Sequence, residues 1–138
     1  MRVRALAALG AVVLLAACSS PAATSAPPAS AINAQLVDWK ITLDNATGKA
    51  GEIKFSVSNK GANTHEFVVV KTDLAADKLP VTGNLVDESA FTPVDEIEDI
   101  EPNATPTLTV TLAPGHYVIL CNIEEHYGKG MHADLTVQ

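Results

Sequence analysis

Cysteines, basic side chains and helical periodicity are all scarce in this chain of 138 residues. Two cysteines, Cys18 and Cys121, leave little room for the paired pattern that exported proteins usually show. Nine Lys and Arg against sixteen Asp and Glu give a formal net charge of −7. Nucleic acid is therefore not an expected partner, because affinity there depends on basic side chains at phosphates. Basic protein surfaces fit this charge better.

A short apolar stretch runs from Ala5 to Ala17, directly after Arg2 and Arg4. Its thirteen apolar or small residues are too few to span a bilayer. A charged start, a short apolar segment and small residues before a cleavage point indicate a secretory signal peptide over residues 1–17. Its removal takes away Arg2 and Arg4 and no acid, so the net charge moves from −7 to −9.

The segment that ends this stretch, Leu15-Ala16-Ala17-Cys18, resembles the lipobox of bacterial lipoproteins, in which the cysteine becomes the lipidated first residue. We therefore expect Cys18 to anchor the protein outside the cytoplasm, at the cell membrane or the outer membrane. An ordinary signal peptide with a chance cysteine is the alternative. Residues 18–31 continue with Ser, Pro, Ala and Thr and no charge, a composition that predicts a flexible tether.

The remaining residues, 32–138, suffice for one domain with one core. A strand is predicted over residues 36–43, apolar and polar residues alternate over 53–59 and 107–112, and continuous apolar runs at 67–70 and 117–121 are typical of strands covered on both faces. Seven or eight short strands separated by Gly, Pro and Asn turns predict an all-β fold, a two-sheet sandwich with Greek-key connections. Trp39 and Tyr117 are expected in its core rather than as electron relays.

Residues 72–102 do not follow this strand pattern and carry acids and prolines. Short helical turns are predicted at 73–77 and 87–90, and residues 94–100 fit either an edge strand or an irregular turn. The five acids between Asp95 and Glu101 form the densest charge in the chain. They are either part of a solvated loop or a docking patch for a basic redox partner.

The most informative stretch lies near the C-terminus. A Pro-Gly turn at Pro114-Gly115 starts an apolar strand that ends on Cys121, and a Gly-containing loop then presents His126 and Met131 at equal spacing. Two histidines, a cysteine and a weak axial methionine describe a mononuclear copper centre for electron transfer. His65 is the natural second histidine, because it also sits at the mouth of an apolar strand. A buried, inert cysteine is the alternative for Cys121.

Two further histidines compete for a role at this site. His116 precedes Cys121 by five residues in one strand, so its side chain is expected on the opposite face and exposed. His132 directly follows Met131, and an imidazole is a stronger ligand than a thioether. Because neighbouring residues of an extended segment point in opposite directions, only one of the two can face copper.

These motifs together resemble the small blue copper proteins, the cupredoxins, which include plastocyanin, azurin and rusticyanin. The similarity rests on Asn63-Thr64-His65-Glu66-Phe67, on Pro114-Gly115-His116-Tyr117 and on the pattern Cys121-x4-His126-x4-Met131. It implies a Greek-key sandwich holding one type 1 copper, with His65, Cys121 and His126 as equatorial ligands and Met131 as the long axial ligand. In the family the imidazole corresponding to His126 faces solvent and conducts electrons. Several members have an Asn that braces the loop beside the cysteine where this chain has Glu66, so Glu66 either braces Asn122 or points to water.

The predicted function is therefore a membrane-tethered one-electron carrier, not an enzyme. Its expected partner is an extracytoplasmic redox protein, a cytochrome, oxidase or reductase, with a basic docking face. Copper binding and delivery through the same ligands is the alternative. A zinc site with two His and one Cys is chemically allowed, but Met131 favours copper. Multicopper oxidases need additional histidine clusters that four histidines in one small domain cannot supply.

Overall fold

The computed structural model describes residues 30–138. The signal peptide, the lipidation at Cys18 and most of the tether predicted above lie outside these residues. The first strand begins at Ser30, two residues before the predicted start of the domain. No helix within residues 30–138 has the length and apolarity needed to cross a membrane.

Eleven strands and two short 3-10 turns make up the described part of the chain. The strands are β1 (Ser30–Val37), β2 (Lys40–Leu43), β3 (Thr47–Gly48), β4 (Gly51–Asn59), β5 (His65–Lys71), β6 (Val81–Thr82), β7 (Leu85–Val86), β8 (Thr92–Ile100), β9 (Thr107–Leu112), β10 (Gly115–Leu120) and β11 (His132–Val137). The 3-10 turns are Ala76–Lys78 and Glu88–Ala90. The strands outnumber the seven or eight expected because β3, β6 and β7 have only two residues each.

Two sheets form the predicted sandwich. One has the strand order β2-β1-β4-β9 and the other the order β3-β11-β10-β5-β8, while β6 and β7 form a separate hairpin. Strand β1 runs parallel to β4, and β10 lies between β5 and β11, antiparallel to both. Non-consecutive strands are thus neighbours in both sheets, as the Greek-key prediction requires.

The core between the sheets follows from the alternation of apolar residues. Ile53, Phe55 and Val57 of β4 are fully buried. The ring of Phe55 meets Phe67 of β5 from the other sheet, with ring centroids 5.3 Å apart. Tyr117 is buried as predicted. Such tilted aromatic pairs fill the space between facing sheets and add to the hydrophobic stabilisation.

A second apolar layer explains why β5 and β10 are apolar on both faces. Val68 and Val70 of β5 and Val118 and Leu120 of β10 point away from the main core. Residues of the segment between β5 and β8 cover them: Ala76, Leu79, Val86 and, in part, Phe91. The continuous apolar runs at 67–70 and 117–121 therefore lie on strands covered on both sides, as predicted.

The segment predicted as one strand over residues 36–43 is instead a hairpin. β1 ends at Val37, β2 starts at Lys40, and these two residues are paired across a two-residue turn formed by Asp38 and Trp39. The single-strand interpretation was wrong because Asp-Trp carries none of the Gly or Asn signals of a two-residue hairpin turn. This turn lies at the same end of the sandwich as the start of β5 and the end of β10, whereas Ser30 lies at the opposite end.

Residues 94–100 belong to an edge strand, β8, which pairs with β5. Two register shifts interrupt this pairing, between His65 and Phe67 and between Val69 and Val70. Irregular pairing of this kind bends an edge strand and protects it from pairing with other chains. The acids of residues 95–101 thus lie mostly on an edge strand rather than in a loop.

Candidate metal centre

Three side chains predicted as ligands converge at one end of the sandwich. His65 is the first residue of β5, Cys121 directly follows β10, and His126 lies in the loop between β10 and β11. Their ligand atoms all lie within 4.8 Å of one another. His65 and Cys121 are fully buried, and His126 is only 8% exposed. The sequence-based choice of His65 as the distant member of the set agrees with this geometry.

The distances between these atoms suit a single small metal ion. The Nδ1 atoms of His65 and His126 are 3.3 Å apart, and Sγ of Cys121 is also 3.3 Å from Nδ1 of His126. Two nitrogen ligands about 2.0–2.1 Å from one metal are about 3.3–3.6 Å apart at angles between tetrahedral and trigonal. One thiolate and two imidazoles form the His₂Cys donor set of blue-copper sites. The residues present therefore fit a copper ion.

The loop that carries His126 is held by its own backbone. The N–H of Cys121 donates to the carbonyl of Met131, and the N–H of Met131 donates to the carbonyl of His126. Tyr127, next to His126, is buried; its hydroxyl donates to the carbonyl of Ala76 at 2.7 Å and accepts from the N–H of Leu79 at 2.9 Å. The loop is thus fixed both to β10 and to the segment that covers the outer face of the sheet.

The Cys121 thiol lies in an apolar setting with two backbone donors nearby. Burial raises the pKa of Cys121, while the backbone N–H groups of Glu66 and Ile123 lower it in part. The N–H of Glu66 lies 3.2 Å from Sγ. Such N–H donors favour a thiolate, which is the form that binds metal. A metal bound at the site would supply the remaining stabilisation of the negative charge.

The contacts of Glu66, left open by the sequence, are clear in the structure. Its carboxylate is half-buried; burial raises its pKa, and the nearby backbone N–H of Asn122 lowers that pKa in part. The backbone N–H of Glu66, which contacts Sγ of Cys121, links the two segments that carry His65 and Cys121. The side chain of Asn122 turns the other way and bonds to both backbone groups of Val86 and to the Glu88 carboxylate.

Trp39 lies over the least buried ligand and not in the core, where it was predicted. Its indole is 37% exposed and meets the His126 imidazole edge-on, with ring centroids 5.0 Å apart. The ammonium of Lys129 lies 4.2 Å from the centre of the indole. Burial lowers the pKa of His126, and nearby His65 and Lys129 lower it further. Its imidazole is thus neutral at neutral pH and free to bind metal.

Asp38, the residue before Trp39, contacts the other histidine and was not identified from the sequence. Its Oδ1 lies 2.9 Å from Nε2 of His65, on the side of the ring away from Cys121 and His126. Its Oδ2 accepts a hydrogen bond from the N–H of Ala62 at 3.1 Å. That backbone contact is the main reason why the pKa of Asp38 is lowered. No motif signals this contact, because Asp38 and His65 meet only through the fold.

Met131, directly before β11, and His132, its first residue, point to opposite sides of the sheet, as an extended segment requires. Met131 is fully buried in the same apolar cluster as Cys121. The ring of His132 is partly exposed and stacks on Tyr127, with centroids 5.0 Å apart. His116 also lies away from the site, between the carbonyl of Thr72 and the carboxylate of Asp134.

Four glutamates form an acidic cluster beside Cys121: Glu66, Glu88, Glu96 and Glu98. Burial raises the pKa of Glu66, and the neighbouring charge of Glu96 raises it further. The pKa of Glu96 is raised in the same way, by burial and then by Glu88 and Glu98. These carboxylates are therefore close enough to repel one another, and the cluster presents concentrated negative charge.

Comparisons with known proteins identify the family and the fold of the chain. The model of the Cupredoxin-like domain family matches residues 6–137, so the chain belongs to that family. No curated protein sequence matches it.

Three solved structures share the fold. Auracyanin of Roseiflexus castenholzii is 21% identical, with a TM-score of 0.58 over 82% of this chain and 99% of its own. Auracyanin A of Chloroflexus aurantiacus, described as a "blue" copper protein, is 19% identical, with a TM-score of 0.54 over 78% and 99%. Rusticyanin of Thiobacillus ferrooxidans is 17% identical, with a TM-score of 0.57 over 81% and 79%.

Proposed function

We propose that this protein is a type 1 copper protein that carries single electrons outside the cytoplasm, tethered to a membrane through Cys18, and that it is not an enzyme. The observation that carries the proposal is the convergence of His65 Nδ1, Cys121 Sγ and His126 Nδ1 in a buried site on a cupredoxin fold. A bound copper ion would accept and return one electron there. The ligands lie at the ends of strands and in a loop held by hydrogen bonds. They would therefore move little when the copper ion gains or loses an electron.

Burial of the ligands favours electron transfer over copper delivery. His65 and Cys121 have no solvent-exposed surface, and Trp39 covers His126. A delivery protein must pass its metal to a partner by ligand exchange, which requires access to the ligands. Electron transfer requires only that the partner approach the ligands closely, without contact with the metal.

Met131 is the proposed axial ligand. It is buried in the cluster that contains Cys121, and its backbone is hydrogen-bonded to Cys121 and His126. A weak thioether ligand suits both oxidation states of copper and tunes the potential without closing the site. His132, stacked on Tyr127, plays no part in this arrangement.

The proposed route for the electron leaves through His126 and the indole of Trp39. Beside them lie Lys129 and Gly128, which line a shallow groove facing the β6–β7 hairpin. Val81 and Leu85 of that hairpin are exposed apolar residues. A partly apolar face around the exit point allows a partner to exclude water and approach closely.

The acidic cluster is the proposed docking site for a redox partner with a basic face. Complementary charge accelerates encounter and weakens with added salt. We expect electron transfer to a cationic partner to slow as ionic strength rises, and the variant Glu98→Gln to slow it at low salt. Glu52→Gln, an exposed acid of the other sheet, is the matched control. Equal effects of the two changes would exclude a specific docking role.

The experiment that tests the function is a visible and paramagnetic-resonance spectrum of the Cu(II)-loaded protein beside its Cys121→Ala variant. An intense blue band with narrow copper hyperfine splitting, absent in the variant, is the expected result. A colourless Cu(II) protein would reject the electron-carrier function. Copper storage or a zinc site would then be the better explanation of the same three side chains.

The tether requires its own test, because it is independent of the copper chemistry. The protein expressed in a bacterial host is expected to partition with membranes and to show the mass of a lipid on Cys18. Cys18→Ala is expected to release it while leaving the blue spectrum unchanged. A soluble wild-type protein with an unmodified Cys18 would contradict the anchor.

A further inference from the structure

One carboxylate touches a candidate copper ligand from outside the metal site. Asp38 Oδ1 lies 2.9 Å from Nε2 of His65, while Nδ1 of the same ring faces Cys121 and His126. A carboxylate accepts hydrogen bonds, so this contact places the imidazole proton on Nε2. Nδ1 is then left with its lone pair directed into the metal site.

We propose that Asp38 is a positioning residue that fixes the Nε2–H tautomer of His65 and lowers the reduction potential of the copper. A carboxylate behind a metal-bound imidazole increases the electron donation of that ring and so stabilises the higher charge of Cu(II) over Cu(I). The effect on the potential rests on the proposed copper function. The effect on the tautomer belongs to the protein alone.

The surroundings of Asp38 show that its carboxylate is held in place. Oδ2 accepts the N–H of Ala62 at 3.1 Å. The loop that presents this N–H is fixed by Asn59, a fully buried side chain: its Oδ1 accepts the N–H of Gly61, and its Nδ2 donates to the carbonyls of Asn63 and Ile100. The orientation of the carboxylate therefore depends on a rigid loop and not on a free side chain.

Gly61 gives independent support for a built contact. A Cβ at this position would lie 2.3 Å from Oδ1 of Asp38 and 2.9 Å from Nε2 of His65. Any side chain here would push the carboxylate and the imidazole apart. The absence of a side chain at Gly61 is thus what allows Asp38 and His65 to meet.

The first test uses the metal-free protein and nitrogen NMR of its histidine rings. In the wild type, the neutral imidazole of His65 is expected as a single Nε2–H tautomer. Asp38→Asn keeps an oxygen acceptor and is expected to keep that tautomer, whereas Asp38→Ala is expected to give a mixture of the two. An unchanged His65 spectrum in Asp38→Ala would overturn the proposal without affecting the copper function.

The second test measures the reduction potential of the copper-loaded variants. Loss of a group behind a metal ligand typically costs about 10–100-fold in metal affinity. If Asp38→Asn weakens Cu(II) binding tenfold more than Cu(I) binding, the potential rises by about 59 mV. Asp44→Asn is the control: it removes an equally hydrogen-bonded carboxylate from the other end of the same hairpin. Equal shifts of the potential in Asp38→Asn and Asp44→Asn would show that Asp38 acts only through its charge, and would reject the proposal.

A third variant displaces the carboxylate without removing it. Gly61→Ala is expected to raise the potential in the same direction as Asp38→Asn, although Asp38 is still present. In an Asp38→Ala background its effect on the potential is expected to be smaller, because the part that acts through Asp38 is lost and only the crowding of the His65 ring remains. Full additivity of the two shifts would contradict the proposal.

Discussion

The indole of Trp39 and the imidazole of His126 meet edge-on, with ring centroids 5.0 Å apart and ring planes 76° apart. This contact covers the least buried of the candidate ligands with a side chain that itself reaches solvent. A partner that touches the protein here meets the indole before it meets a copper ligand.

Replacement of Trp39 is expected to slow electron transfer without removing the copper. Trp39→Ala should retain the blue band but reduce the electron self-exchange rate several-fold. The reason is that the protein loses the side chain that lies between His126 and a bound partner. The self-exchange rate of Trp39→Phe should lie between the rates of Trp39→Ala and the wild type. Self-exchange measured by NMR line broadening is suitable because it has no driving force and so does not depend on the potential.

The control for this experiment is Leu74→Ala, another exposed apolar residue. Leu74 follows β5 at the end away from His65, and its loss is expected to leave the rate unchanged. Faster self-exchange in Trp39→Ala would show that the indole shields His126 and would reject it as the electron route.

The hydroxyl of Tyr127 is expected to stabilise both the fold and the copper loop. Tyr127→Phe removes the donor to Ala76 and the acceptor for Leu79 in a buried setting. An unpaired buried backbone group costs about 1–3 kcal/mol, so the free energy of unfolding should fall by about that amount. Because Tyr127 adjoins His126, copper should also dissociate faster, which chelator competition measures.

Tyr117→Phe is the matched control for this change. It removes one partly buried hydrogen bond, to the carbonyl of Ala113, near the opposite end of the sandwich. The expected loss is about 0.5–1.5 kcal/mol, with no change in copper dissociation. If Tyr117→Phe accelerated dissociation equally, the effect would reflect global stability and not the loop.

Copper binding is expected to release one proton near neutral pH. Burial raises the pKa of Cys121, so without metal the thiol is protonated, and it must lose its proton to bind. The lowered pKa of His126 means that this imidazole is already neutral and releases none. The apparent affinity for Cu(II) should therefore rise by about one decade per pH unit between about pH 7.5 and 8.5.

Cys121→Ser tests the source of that proton. The serine hydroxyl does not titrate in this range, so the variant should bind copper more weakly and with little dependence on pH. Titration calorimetry in buffers of different ionisation enthalpy counts the released protons directly. A pH dependence that survives in Cys121→Ser would assign the proton to another group.

The choice between Met131 and His132 can be tested by parallel substitutions. Met131→Leu is expected to keep copper and raise the potential, because loss of the axial donor destabilises Cu(II) more than Cu(I). If the variant weakens Cu(II) binding tenfold more than Cu(I) binding, the reduction potential rises by about 59 mV. His132→Ala should leave the potential and the spectrum unchanged. A reversed pattern would identify His132 as the axial group.

The sequence predicted the parts of the fold that depend on local pattern. Alternation in β4 and β9 and the two-sided burial of β5 and β10 follow from hydrophobic periodicity, and the candidate copper ligands were chosen from donor chemistry and spacing. The functions of Asp38 and Trp39 could not be predicted in this way. Both lie in a turn without a turn signal, and their partners, His65 and His126, are distant in the chain.

The direction of β1 has a consequence for how the protein would stand at a membrane. Ser30 begins the strand at one end of the sandwich, and Asp38 and Trp39 follow it at the end that holds the metal centre. Eight residues at about 3.3 Å each separate these ends by about 25 Å. With Cys18 lipidated as proposed, the tether would join the domain at the end of the sandwich opposite the candidate metal centre. The membrane would then leave the exit face free, and a partner could bind without detaching the anchor.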